Sequence, residues 1–218
     1  MIVDQEELWV AGTNCYVMAL EKGGPAVVVD APPDLEGVVG LLRKHDLAVS
    51  ALLLTHGHVD HTGSSGGLSR STGAAVFMHG DDDFLGLDPM AQMTALFGGV
   101  PPDVGDLAPP EKMERLIDGL ILELAGVSLE VRHTPGHTPG HCCFYLESDG
   151  LLFSGDQLFA GSIGRTDFPY GDHGQLMRSM ETKVLTLPED TEVLPGHGPR
   201  TTLAAERRTN PFLAELPQ

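Results

Sequence analysis

Thr55-His56-Gly57-His58-Val59-Asp60-His61 places three imidazoles and one carboxylate in direct succession to the apolar run Ala51-Leu52-Leu53-Leu54. A short apolar run bounded by polar residues reads as a strand buried on both faces, which puts the histidines in a loop at a strand end. Imidazole and carboxylate are donors suited to Zn²⁺, Fe or Mn²⁺. His56 and His58, two apart, can face one ion, while Asp60 and His61 can turn toward a second. Gly57 removes side-chain bulk where the backbone has to fold sharply around a small sphere. Ten histidines occur beside three tyrosines and one tryptophan, and this cluster is the densest part of that excess.

Three further segments repeat the pattern of a polar donor beside glycine after an apolar run. Thr134-Pro135-Gly136-His137-Thr138-Pro139-Gly140-His141 follows the run ending near Arg132. Ser154-Gly155-Asp156 follows Leu151-Leu152-Phe153, and Pro195-Gly196-His197-Gly198 follows Glu192-Val193-Leu194. Donors at strand ends are how a rigid sheet presents a site through its loops. Together they offer His56, His58 and His137 as one triad and Asp60, His61 and His197 as another. Asp156 is left as a carboxylate able to join two cations.

The rest of the chain is consistent with a globular α/β protein. It has 218 residues, 13 Lys+Arg against 31 Asp+Glu, and a formal charge of −18. That length suits one compact domain over 1–218. No apolar stretch approaches the roughly 20 residues a membrane span needs. The acidic start Met1-Ile2-Val3-Asp4-Gln5-Glu6-Glu7 lacks the features of a secretory signal. Strong acidity disfavours nucleic acid and anionic membranes as partners. Cys15 and the adjacent Cys142-Cys143 make no disulfide framework. The expectation is a cytoplasmic protein acting on a small molecule, with oligomeric state unreadable.

Strands are expected within Leu8–Leu20 and at Ala26–Val29, Ala51–Thr55, Ala74–Met78, Val127–Val131, Cys142–Leu146, Leu151–Phe153 and Glu192–Leu194. Helices are expected at Leu35–His45 behind an Asp34 cap, at Gln175–Leu187, and from Thr201 or Thr202 to Thr209, stopped by Asn210-Pro211. An early and a late group of strands would give two sheets. Residues 81–110 read as a surface excursion seated by Met90, Met93 and Phe97. His45 reads as a favourable charge at a helix C-terminus, whereas His79, His133 and His173 have no ligand-type partner in any motif.

The order His-x-His-x-Asp-His at His56–His61, followed by His137, Asp156 and His197, resembles the metallo-β-lactamase superfamily over residues 13–210. The resemblance implies a four-layer αβ/βα sandwich with metals at the edge between two sheets. It implies His56, His58, Asp60, His61, His137, Asp156 and His197 as ligands of two divalent ions, with Zn²⁺ favoured and Fe or Mn as alternatives. It assigns His137 as the ligand of its segment and leaves His141 a structural role. True β-lactamases are exported and lack an aspartate at the place of Asp156. The stretch Leu158-Phe159-Ala160-Gly161-Ser162-Ile163-Gly164-Arg165-Thr166-Asp167-Phe168-Pro169 resembles the glyoxalase II branch, including its short bacterial members, which hydrolyse thioesters of glutathione.

That resemblance implies a basic residue contacting the glutathione moiety at Arg165, and Tyr170 joins it as a candidate substrate contact. Only 21 residues follow His197, so the C-terminal helical glutathione-binding domain of the long form is not expected. The implied chemistry is attack on a thioester carbonyl by a hydroxide shared between two ions, which lower the pKa of water from about 16 toward about 7. Asp60 and Asp156 are the catalytic carboxylates of that scheme, Asp60 orienting the nucleophile. The stretch around Arg165 is also similar to the persulfide dioxygenase branch, which uses one Fe²⁺ and usually carries Cys in place of His141. Lactone opening is the remaining alternative. RNA processing is disfavoured, because no basic appendage is present to hold RNA.

Overall fold

Alternate residues of the apolar strands serve different layers, and that alternation builds the architecture. The computed structural model describes residues 1–101, 104–214 and 216, with the side chains of residues 96 and 97 outside that description. Strands β1 (Ile2–Leu8), β2 (Thr13–Ala19), β3 (Pro25–Val29), β4 (Ala48–Leu53), β5 (Ala75–His79) and β6 (Glu114–Leu116) form one sheet in that spatial order. Its first three strands are antiparallel and the steps from β3 to β6 are parallel. The second sheet contains β7 (Ile121–Leu124), β8 (Val127–His133), β9 (Cys142–Leu146) and β10 (Leu151–Gly155). A ribbon of β11 (Leu158–Phe159) and β12 (Ser162–Ile163) intervenes before β13 (Glu192–Pro195) and β14 (Thr201–Thr202) complete that sheet in the order β14-β13-β10-β9-β8-β7.

Between the sheets pack Tyr16, Met18, Val27, Val29 and Leu53 from one side and Val131, Phe144, Phe153 and Leu194 from the other. The residues next to them point outward. Val17, Val28 and Leu52 meet Val38, Leu41 and Leu42 of α1 (Leu35–Lys44). On the opposite flank Tyr145, Leu152 and Val193 meet Leu176, Met180, Val184 and Leu203. The result is the expected helix–sheet–sheet–helix sandwich. α1 begins at the expected cap, Asp34 accepting from the Gly37 N–H at 2.9 Å.

Three local expectations need correction. The strand expected within Leu8–Leu20 is confined to β2, because the chain turns at Trp9 and Gly12, both with positive φ, and the acidic start before that turn forms β1, which was not expected. After the short helices α2 (Val59–Thr62) and α3 (Ser65–Thr72), residues 81–110 contain α4 (Asp83–Gly86) and α5 (Pro89–Phe97). Asp88 caps α5 by accepting from the Ala91 N–H, Pro89 starts it and left-handed Gly98 ends it. Propensity of the intervening Gly and Asp hid these signals. Met93 is fully buried with Val59 and Leu107, whereas Met90 is exposed and the Phe97 side chain lies outside the described residues.

The third concerns the late helix, which starts at α6 (His173–Ser179), capped by Asp172, and widens into a π turn over Met180–Val184. α7 (Leu203–Thr209) ends before Asn210 as read. The fully buried Phe144 sits at the middle of the inter-sheet core, so Phe144→Ala is expected to remove about 3–5 kcal/mol of stability, measured as a lowered midpoint in denaturant unfolding.

Candidate metal centre

All seven expected donors converge where the C-terminal ends of β4, β8, β10 and β13 meet, five in the loops following those strands and Asp60 and His61 in α2, just beyond the loop after β4. Three imidazole nitrogens face one another: His56 Nε2 and His137 Nε2 each lie 2.9 Å from His58 Nδ1. On the neighbouring side, His61 Nε2 stands 3.3 Å from His197 Nε2 and 3.4 Å from Asp60 Oδ2, and His197 Nε2 is 3.3 Å from the same Asp60 oxygen. Asp156 lies between the groups, with Oδ1 3.4 Å from His61 Nε2 and Oδ2 3.5 Å from His137 Nε2.

The hydrogen bonds on the far side of each ring decide what the near side offers. His137 Nδ1 donates to the Arg165 carbonyl at 2.7 Å, so Nε2 of the neutral ring is a lone pair. His197 Nδ1 donates to the Gly12 carbonyl in the same way. Thr55 Oγ1 gives its own proton to Asp30 at 2.8 Å and therefore accepts from His56 Nδ1 at 3.0 Å. His58 Nε2 reaches the Tyr170 hydroxyl at 2.9 Å. Around His56, His58 and His137 the network thus turns lone pairs inward, the arrangement in which outer partners orient metal-binding imidazoles.

Charge follows the same division. Burial, then the neighbouring imidazoles, push His56 far below the usual histidine range, and burial followed by His137 does so for His58. Both rings are neutral donors. Burial opposes charge on His61, but the carboxylates of Asp60, Asp156 and Asp30 overrule it and raise its pKa to about 10. Burial likewise opposes the Asp60 carboxylate, yet His61 and His197 hold it well below the ordinary range. The carboxylates therefore gather positive charge at the His61 side.

Asp156 Oδ1 is buried and has no hydrogen-bond partner. An orphaned carboxylate oxygen beside inward-facing lone pairs fits divalent cations, because a buried anion needs compensation. His56, His58 and His137, His56, His61 and Asp156, and Asp60, His61 and His197 each could hold an ion, with donor atoms within 4.8 Å of one another. The site opens to a cleft of about 410 Å³ lined by His58, Asp60, His137, Asp156, Phe159, Ile163, Arg165, Phe168 and His197. Arg165 rests over the Phe168 ring at 4.3 Å and forms two 2.7 Å bonds to Asp167.

Three positioning groups escaped the sequence reading. Asp30, at the end of β3 with φ +58°, is buried and accepts from Thr55 N, Thr55 Oγ1 and His61 Nδ1, each at 2.8 Å. Its signal was an acid closing the run Ala26–Val29. Buried Asp82 accepts from Gly57 N at 2.8 Å and from Thr138 Oγ1 and Gly140 N at 2.6 Å, tying together the loops that carry His58 and His137. A Cβ on Gly57 would come within 2.8 Å of the Asp82 carbonyl, so this glycine admits Asp82 rather than an ion. Gln92 of α5 brackets the same loop, accepting from Val59 N and donating to the Gly57 carbonyl. His141 is buried beside the centre and accepts the Asp156 backbone N–H at 3.0 Å, which gives it the structural role implied above.

A two-sheet sandwich with clustered imidazoles and carboxylates at its edge defines a class of metal-binding protein. The Metallo-beta-lactamase superfamily model matches residues 8–197, and the chain belongs to that superfamily. The Hydroxyacylglutathione hydrolase GloC of Haemophilus influenzae is 37% identical over 188 residues, covering 86% of this chain and 87% of that one. Among solved structures, BLEG-1 B3 metallo-beta-lactamase has a TM-score of 0.87 at 36% identity, covering 98% of this chain and all of that one. TTHA1623 in a di-iron-bound form has a TM-score of 0.85 at 37% identity, covering 97% of this chain and 100% of that one. ETHE1 from Myxococcus xanthus has a TM-score of 0.76 at 27% identity, covering 98% and 85%. Among the described residues, no helix is long and apolar enough to cross a membrane.

Replacing Asp30 by Asn leaves His61 and Thr55 competing for one acceptor oxygen. Asp30→Asn is expected to weaken divalent-metal retention about 10–100-fold, read by chelator competition on folded protein.

Proposed function

We propose that the chain is a metal-dependent hydrolase that cleaves an anionic thioester of the hydroxyacylglutathione type, using two divalent ions, with Zn²⁺ favoured over Fe or Mn. The observation that carries this reading is Asp156, whose two oxygens face His61 and His137 from between two donor groups at the floor of an open cleft. His56, His58 and His137 would hold one ion, and Asp60, His61 and His197 the other, with Asp156 shared. Ions held there supply Lewis acidity and make water nucleophilic at neutral pH.

The chain's own residues account for the remaining steps. Asp60 accepts from Thr13 Oγ1 at 3.2 Å, which fixes the carboxylate oxygen that orients the attacking water. Phe159, Ile163 and Phe168 form an apolar wall that keeps bulk water from the acyl group. A thiolate is a good leaving group, so no strong general acid is needed. Arg165 faces the cleft mouth as the cation for a carboxylate of the carrier thiol, in exchange for its exposed pairing with Asp167. Tyr170 accepts from His58 Nε2, which leaves the phenol proton free to be donated to substrate. We place this activity in the cytoplasm, with a small molecule and neither nucleic acid nor membrane as partner.

The GloC relative supports the thioester reading, and a di-iron form among the structural neighbours supports a site that accepts two ions. The likeness to ETHE1 favours a second reading, persulfide oxygenation at one iron. His141, where that branch usually carries Cys, weighs against it.

Hydrolysis of S-lactoylglutathione by metal-analysed protein separates the two. His58→Ala and Asp156→Ala are each expected to lower kcat/KM at least about a hundredfold, with metal content falling in parallel. No thioesterase activity, together with O₂ uptake on glutathione persulfide at one Fe per chain, overturns the hydrolase reading. Arg165→Ala is expected to raise KM about tenfold with kcat nearly unchanged, the signature of lost ground-state and transition-state binding alike.

A further inference from the structure

His79 closes β5 in the first sheet and His133 closes β8 in the second, so these imidazoles come from opposite halves of the sandwich. Their rings lie face to face, with 4.0 Å between centroids and 6° between planes. Asp81, two residues beyond His79, brings a carboxylate oxygen to 3.7 Å from His79 Nδ1. One donor atom from each of the three lies within 4.8 Å of the others, in a group that shares no residue with the centre described above.

Hydrogen bonds fix where the lone pairs are. The Asp81 N–H donates to His79 Nδ1 at 3.2 Å, so that nitrogen carries a lone pair. His133 Nε2 donates to the Pro139 carbonyl at 2.9 Å, which leaves the lone pair of the neutral ring on Nδ1. Two imidazolium rings would repel in a face-to-face stack, and burial together with His133 lowers the His79 pKa. Arg115, the nearby cation, is bonded to Asp83 rather than to Asp81. Asp81 is largely exposed, which leaves water able to complete a coordination sphere.

We propose that His79, Asp81 and His133 form a second metal site, for a late first-row divalent ion such as Zn²⁺ or Cu²⁺, that cross-links the two sheets. Two nitrogens with one carboxylate oxygen suit those ions, whereas Ca²⁺ and Mg²⁺ require oxygen-rich surroundings. The lone pairs of parallel rings lie in parallel planes, so binding requires one imidazole to swing out of the stack until both nitrogens face the ion, and it replaces the 3.2 Å bond from Asp81. The neighbouring Asp82 holds the loops of His58 and His137, so an ion here stiffens the frame of the main centre without touching it.

The test is equilibrium dialysis of the metal-loaded, full-length chain against Cu²⁺, followed by elemental analysis and electron paramagnetic resonance. Wild type should hold about one equivalent more than the His79→Gln/His133→Gln double variant, and that extra copper should show coupling to two nitrogens. Each single variant should bind it at least about tenfold more weakly, and exposed Asp81→Asn, which puts no core contact at risk, several-fold more weakly. The added ion should raise the melting temperature of wild type only. Equal stoichiometry in wild type and double variant, or undiminished binding in either single variant, overturns the proposal.

Discussion

The Asp30 carboxylate is the interaction on which the arrangement of the centre depends. It is buried at the end of β3, in a left-handed backbone conformation that a non-glycine residue adopts at a cost, and it gathers three donors from Thr55 after β4 and His61 of α2. Two of those bonds fix Thr55, and through its hydroxyl the His56 ring; the third fixes His61. One anion thereby sets the orientation of donors in both metal-facing groups. A buried carboxylate is tolerated only because each bond it accepts is short and its surroundings are polar.

Asp82 does for the loops what Asp30 does for the rings. Its burial raises its own pKa, opposed by the hydrogen bonds from Thr138, Gly57 and Gly140. These donors come from segments separated by more than 50 residues, as the pair Asp82 and Thr138 illustrates. Gln92 adds a neutral clamp from α5 on the same loop. The excursion over residues 81–110 is thus part of the site's scaffold, not a decoration of the surface.

The main architecture and the seven converging donors were legible because both are local signals. Ala51–Leu54 is apolar without interruption, and His56–His61 follows it immediately; the other donors each sit beside glycine after an apolar run. Asp30 and Asp82 were not legible, because their roles depend on partners 25 to 58 positions away in sequence. The stack of His79 on His133 was missed for the same reason: it joins ends of strands from different sheets. α5 was hidden by composition, although Asp88, Pro89 and Gly98 spelled out its cap, start and stop. β6 and β7, three and four residues long, left too little alternation to be read.

The first and last parts of the centre are joined by a latch. Asn14 donates from Nδ2 to the carbonyls of Pro195 and Gly198, at 2.9 and 2.8 Å, and Tyr16 Oη donates to the Pro195 carbonyl at 2.8 Å. Thr13 pairs with His197 itself as an isolated bridge. These contacts span 181 and 184 residues of chain. A ribosome therefore releases β2 long before the loop it must fasten exists, and the His197 corner can close only once that loop has been made. Until then His61 and Asp60 lack the imidazole that faces them in the folded chain, so the second donor group is a product of long-range closure and not of its local segment.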